Sequence, residues 1–156
     1  HSCTEAFYFG EESSGGKMNV HHVGYVVKDL TETAGTFATL GYRQCSEVTH
    51  DEARRVDICF VQNGAYCVEL VAPWDETSVC WNILKSGGVR PYHICYEADD
   101  FDVQSMGFQQ KGWILTAPPM SAPAIGNKRV AFFYHKNGGL IEIVEKGNND
   151  GYIEND

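Results

Sequence analysis

The chain has 156 residues, 43% hydrophobic and 12% aromatic, which suits one ordinary domain or two small modules sharing a core. Its net charge of −9, with no block of basic residues, excludes nucleic acid and anionic membranes as main partners, and any anionic substrate needs a local basic patch. No stretch reaches the roughly 18 to 20 apolar residues of a membrane-spanning helix, and the first residues lack the apolar centre of a signal peptide.

Residues 1–18 are expected to be an N-terminal extension, partly disordered or foreign to the natural chain: "AFYFG" suits a short strand, but "EESSGGK" is linker chemistry. The run "NVHHVGYVV" predicts a strand over Val20–Val27. Adjacent residues on a strand face opposite ways, so His21 and His22 are placed on different faces, His22 with Gly24 and Val26. Asp29 or Thr31 caps a helix over Thr31–Leu40, and Gly41 ends it. A strand over Gly41–Val48 follows, then a hairpin of Arg55–Val61 and Tyr66–Ala72 turning at Asn63-Gly64.

The same order then recurs: a strand over Tyr92–Ala98, a helix from near Asp100 to before Gly112, and strands over Trp113–Thr116, Lys128–Tyr134 and Leu140–Glu145. The stretch "APPMSAPAIGN" (117–127) is a Pro-rich loop, the best candidate for a lid or a substrate contact. Residues 148–156 are a polar, acidic tail. The cysteines, Cys3, Cys45, Cys59, Cys67, Cys80 and Cys95, include no C-x-x-C pair, and three lie inside apolar runs. They read as free thiols of a reducing compartment, giving a cytoplasmic location.

The repeat is visible residue by residue. "HVGYVVKDL" from His22 parallels "HICYEADDF" from His93, "RVDICFV" parallels "RVAFFYH", and "NGAYCVELV" parallels "NGGLIEIV". Each copy carries a His on its first strand and a Glu on its last: His22 with Glu69, His93 with Glu142, with side-chain parity consistent with one shared face. Two His and two Glu from related halves suit one divalent ion, Zn²⁺, Mn²⁺, Co²⁺, Ni²⁺ or Fe²⁺. His50 and His135 are secondary candidates as proton shuttles. Lys128 and Arg129 are candidates for meeting a CoA or phosphate, against a plain solvated strand start. Trp74, Trp81 and Trp113 read as core or subunit-contact aromatics.

"HHVGYVVKDL", "VELVAPWDETS", "GVRPYHICYEADDFD" and "GGLIEIVEK" together resemble the vicinal oxygen chelate superfamily, which includes glyoxalase I, methylmalonyl-CoA epimerase, extradiol dioxygenases and bleomycin- and fosfomycin-resistance proteins. The resemblance implies an α+β fold in which two paired βαβββ modules, 19–73 and 90–147, form one open, cup-shaped mixed sheet over residues 19–147. It implies metal ligands at His22, Glu69, His93 and Glu142. "ELVAPWDETS…GGVRPYHICYEADD" is most similar to methylmalonyl-CoA epimerase, which implies a metal-dependent isomerase or lyase that forms the enolate of a small acyl thioester. One carboxylate, with Glu142 a candidate, then removes the α-proton and an acid on the other face returns one.

Two positions depart from that pattern. Epimerases carry a second glutamate before the third strand, where this chain reads "THDEARRVDICF"; Glu52 is the candidate, with Arg54 or Arg55 as alternative occupants of that place. Glu69 stands where epimerases often have Gln, as in glyoxalase I. Rival readings are a glyoxalase I-type lactoylglutathione lyase or thiol transferase, and a non-catalytic ligand-binding or resistance protein. An extradiol dioxygenase ranks lowest. The expected partners are a small-molecule substrate, a CoA or glutathione thioester, and a second copy of the chain in a homodimer.

Overall fold

The structure is a computed structural model and describes residues 18–147. Most of the expected N-terminal extension, with Cys3, and the tail from residue 148 lie outside the described residues. The first half runs β1 (Val20–Val26), α1 (Leu30–Ala38), β2 (Arg43–Gln44), β3 (Thr49–Asp51), β4 (Val56–Asn63) and β5 (Tyr66–Pro73). After a linking helix α2 (Trp81–Gly87), the second half runs β6 (Arg90–Ala98), α3 (Phe101–Gln110), β7 (Ile114–Leu115), β8 (Met120–Ala122), β9 (Lys128–His135) and β10 (Gly139–Glu145).

All ten strands belong to one mixed sheet of order β2-β4-β5-β1-β6-β10-β9-β7, with β3 beside β4 and β8 beside β9. The order reads the same from either edge: β1 pairs parallel with β5, β6 pairs parallel with β10, and β1 meets β6 antiparallel at the centre. The two ends of the order do not pair with one another, so the sheet is open. It curls, because Val56 and Ile58 of β4 and Val130 and Phe132 of β9 line one cavity from opposite ends of the order. This is the α+β, two-module arrangement expected from the repeat.

The helices arise from matching local signals. Asp29 accepts a hydrogen bond from the Glu32 N–H at 2.8 Å, and Asp100 accepts one from the Val103 N–H at 3.2 Å, so both helices start on an aspartate cap. Gly41 and Gly112 follow their C-termini at φ +95° and +91°, a left-handed conformation that side chains disfavour. Under α1 lies one core cluster (Val61, Val68 and Leu70, packed on Phe37), and under α3 a second (Phe133, Ile141 and Ile143, packed on Phe108). A third, on the other face, draws on both halves and includes Val26, Phe60, Val71, Cys95 and Val144. Strands β4 and β5 are therefore covered on both sides, which explains their near-continuous apolar runs.

Three expectations are corrected. Of the strand expected over Gly41–Val48, only Arg43–Gln44 pairs, and Thr49–Asp51 forms a separate short strand on β4. The stretch 117–127 is not all loop: Met120–Ala122 pairs with β9, and Pro123–Ile125 is one turn of 3-10 helix. Helix α2 was not anticipated. It has only seven residues and starts at Cys80, whose side chain makes no capping bond, so it carries no start signal. Trp81 opens this helix, Trp113 packs under α3, and Trp74 is exposed with its indole N–H on Asp57. Among the described residues no helix is long and apolar enough to cross a membrane.

Candidate metal and active site

Two rows of residues cross the centre of the sheet. Along one, Phe60, Glu69, Gly24 and His93 lie side by side on β4, β5, β1 and β6; along the other, Phe132, Glu142, Cys95 and His22 lie on β9, β10, β6 and β1. Each row is the other's repeat copy, and each supplies one imidazole and one carboxylate. His22, Glu69, His93 and Glu142 are at most 5% exposed, and their ligand atoms all lie within 4.8 Å of one another. His22 Nε2 and His93 Nε2 are 3.2 Å apart, Glu142 Oε1 is 3.2 and 3.3 Å from them, and Glu69 Oε1 is 3.5 Å from both. Phe60 and Phe132 wall the two imidazoles edge-on.

The arrangement fits a divalent cation. Two imidazole nitrogens and two carboxylate oxygens are the donor set that Zn²⁺ and its neighbours take, and bonds of about 2.1 Å span donor separations of roughly 3.0–3.4 Å. Glu142 Oε1 is buried and has no aligned hydrogen-bond donor, which a cation at the convergence of the four groups would remedy.

The electrostatics point the same way. Burial by itself lowers the His22 pKa, but the charge of Glu69, the neighbouring Cys95 and the adjacent Glu142 outweigh it and hold the imidazole well above the usual histidine value. Burial raises the Glu142 pKa, yet the imidazoles of His22 and His93, 3.2 and 3.3 Å from its Oε1, prevail and hold it well below the usual carboxylate range.

The supports of the two histidines differ. In β1, Val20 pairs with Tyr96 and His22 with Cys95, so His21 is an extra residue with no partner across the ladder, a β-bulge. The strict alternation expected for His21 fails here: its Nδ1 lies 2.8 Å from Nδ1 of His22, and the rings meet edge to face. Tyr92 meets the His93 ring edge-on, but the buried Nδ1 of His93 is unsatisfied. Its ring lies directly over Gly24, where an added Cβ would stand 2.0 Å from Cε1.

Above the cluster opens a cavity of about 340 Å³. Glu69 and Glu142 form part of its floor and its walls are largely apolar, with Val71, Ile83 of α2, Met120, Ile125 and Leu140 among them. Ala117, Pro118, Met120, Ala122, Ala124 and Ile125 put the Pro-rich stretch against it. Glu52 does not join the site: it is exposed in the turn after β3 and does not line the cavity, whereas its neighbour Asp51 does, at 1% exposure. Arg54 lines the cavity too, donating to Asp51 Oδ2 at 2.8 Å and to the Ser121 carbonyl at 3.1 Å; Arg55 turns outward to Thr77 and Asp75.

Tyr92, the repeat counterpart of His21, lines the cavity. Burial, followed by the charges of Glu69, Cys80 and Glu142, lifts its phenol well above the usual value, so it stays a hydrogen-bond donor. Asp51 and Tyr92 each had a legible cue, being neighbours of a residue singled out, but only strand register tells which neighbour faces inward.

The remaining candidates lie elsewhere. His50 is exposed and bonded to Asp57, His135 accepts from the Asn137 N–H beside Trp113, and Arg129 is paired with Asp102 and Glu145. Neither Lys128 nor Arg129 lines the cavity. Positive charge occurs instead beside α2, where a second cleft is lined by Lys28 and Lys85 together with Trp74 and Trp81. The five cysteines among the described residues are free thiols, and burial raises Cys59 to about 11 and Cys67 to about 12.

An open, duplicated α+β sheet with His and Glu pairs at its centre defines the class, and sequence comparison agrees. The profile of the Glyoxalase/Bleomycin resistance protein/Dioxygenase superfamily matches residues 21–146, and the chain belongs to that superfamily. Among its relatives, the human mitochondrial methylmalonyl-CoA epimerase is 29% identical over 135 residues, covering 84% of this chain and 74% of the human protein. The crystal structure of methylmalonyl-CoA epimerase from Mycobacterium tuberculosis superposes with a TM-score of 0.72 at 25% identity, covering 82% of this chain and 87% of that one. A variant of the Streptomyces coelicolor epimerase in complex with 2-nitronate-propionyl-CoA shares the fold, with a TM-score of 0.74 at 21% identity over 85% of this chain and 96% of that one.

Proposed function

We propose that the protein is a divalent-metal-dependent epimerase of the methylmalonyl-CoA type, moving a proton at the carbon α to the carbonyl of a small acyl thioester. The observation that carries this reading is the convergence of His22, Glu69, His93 and Glu142 beneath an apolar cavity of acyl size. These four residues would hold the metal. When bound there, it supplies a Lewis acid for a developing enolate oxygen.

The chain's own groups do the rest. The apolar walls exclude water from the acyl group, and Tyr92 offers a protonated hydroxyl inside the cavity. Epimerisation needs a proton removed from one face and delivered to the other, hence two acid–base groups. Glu142 from the second half is one candidate, and Asp51 from the first replaces Glu52 as the other. Arg54 orients Asp51, because its backbone N–H and its guanidinium NH1 each hold one of the carboxylate oxygens. A cavity of this volume takes the acyl portion alone. Lys28 and Lys85 in the neighbouring cleft suit the phosphates of a CoA tail better than glutathione, and they answer the need for local positive charge in a chain of net charge −9.

The test is solvent-deuterium incorporation at the α-carbon of methylmalonyl-CoA, run beside turnover of the glutathione–methylglyoxal hemithioacetal, with added Co²⁺, Mn²⁺, Ni²⁺ or Zn²⁺. Exchange without hemithioacetal turnover is expected. Hemithioacetal turnover would move the reading to a glyoxalase-type lyase. Neither activity, with no metal uptake, would leave a ligand-binding protein.

A further inference from the structure

We propose that His21 is a positioning residue for His22: its Nδ1 accepts a hydrogen bond from the His22 Nδ1–H and so keeps the His22 Nε2 lone pair directed at the four-residue cluster. This inference rests on the reading of that cluster as a metal site.

The argument begins with one proton. The two Nδ1 atoms lie 2.8 Å apart, so a single hydrogen lies between them and one ring must donate while the other accepts. If His21 donated, neutral His22 would carry its proton on Nε2, aimed at His93 Nε2 3.2 Å away, and its coordinating lone pair would be lost. If His22 donates, Nε2 is bare and ready to bind, while the proton of a neutral His21 is on Nε2. Only the second arrangement serves a metal, and a ligand imidazole held through its other nitrogen is a general device for fixing tautomer and ring angle.

The contact is built into the strand. His21 is the extra residue of the bulge in β1, half-buried, and the bulge brings its ring edge-on to His22, with centroids 5.1 Å apart, when plain alternation would send it to the opposite face. In the second copy Tyr92 occupies the matching irregularity and meets the His93 ring edge-on at 4.4 Å, but His93 Nδ1 has no hydrogen bond. His21 therefore acts on one of the two imidazoles only.

Two substitutions of similar shape separate this role from packing. His21→Leu removes the acceptor, and His21→Asn places an amide oxygen where Nδ1 stood. The full-length, metal-free proteins are titrated with Co²⁺ and Zn²⁺ by calorimetry, and the histidine tautomers of the wild type are read from long-range ¹H–¹⁵N NMR spectra. The expected results are His21 as the Nε2–H tautomer, affinity weakened about 10- to 100-fold in H21L, and most of it recovered in H21N. His21 found as the Nδ1–H tautomer overturns the proposal. So does an H21L protein that binds cobalt as tightly as the wild type, or an H21N protein that recovers nothing. A wild-type protein that takes up neither ion overturns the metal reading and, with it, any role of His21 toward a metal; the NMR spectrum still decides the direction of the hydrogen bond.

Discussion

The two halves of the molecule supply the same chemistry on different supports. Each contributes a His, a Glu and a flanking Phe to the centre of the sheet, in rows that exchange places when the halves are exchanged. Yet His22 shares a hydrogen bond with His21 and faces Cys95, whereas His93 is held by packing on Gly24, the residue matched to Cys95, with its Nδ1 unsatisfied. Duplication preserves the groups that meet at the site, while the residues behind them are free to diverge. One imidazole is fixed electrostatically and the other sterically, so the halves should fail in different ways.

The largest asymmetry expected is in acid–base chemistry. Asp51→Asn should lower α-proton exchange by about 10²- to 10⁴-fold while metal uptake persists, and Glu52→Gln should leave both unchanged. Loss in Glu52→Gln with Asp51→Asn unchanged would return the role to Glu52. Next comes the seat of His93. Gly24→Ala places a Cβ inside the imidazole, so it should cost about 1–3 kcal/mol by chemical denaturation and weaken metal binding. Cys95→Ala, at the matched place, should cost about 1 kcal/mol and leave metal binding intact.

A third expectation concerns pH. In the metal-free protein the raised His22 pKa contributes stability fully below the unfolded value of about 6.5, and that contribution is lost as pH rises through the folded value. The depressed Glu142 contributes above its unfolded value of about 4.3 and is lost as pH falls toward the folded one. The Tm of the metal-free protein should therefore fall on raising the pH above neutrality. Added metal should reverse the fall and release protons into weakly buffered solution. A metal-free Tm that rises from pH 6 to 9 would contradict this. The smallest effect should be symmetric: Asp29→Ala and Asp100→Ala each remove one helix cap and should each cost about 1 kcal/mol, measured by denaturant midpoint.

Much of this was legible along the chain because it is local or repeated. The caps Asp29 and Asp100, the stops Gly41 and Gly112, and the central strands follow from residue chemistry within one turn or one pleat. The four central residues could be singled out because a copy of the pattern lies in the same chain. What escaped was set by register and by packing at a distance. Asp51 lines the cavity while Glu52, exposed in the turn after β3, does not, and only the pairing of Asp51 with Val56 reveals which of the two turns inward. Tyr92 gave no sign of facing the cavity, and α2, lacking a side-chain cap, gave none of being a helix.

His21 and His22 show where that division falls. The sequence by itself determined the duplicated module, its element types and the pairing of His22 with His93, since periodicity and repetition are properties of the chain. Strict alternation then assigned His21 to the far face. Only the tertiary structure decided otherwise, because the bulge that turns His21 toward His22 exists only when β1 pairs with β6, some 70 residues away in the chain.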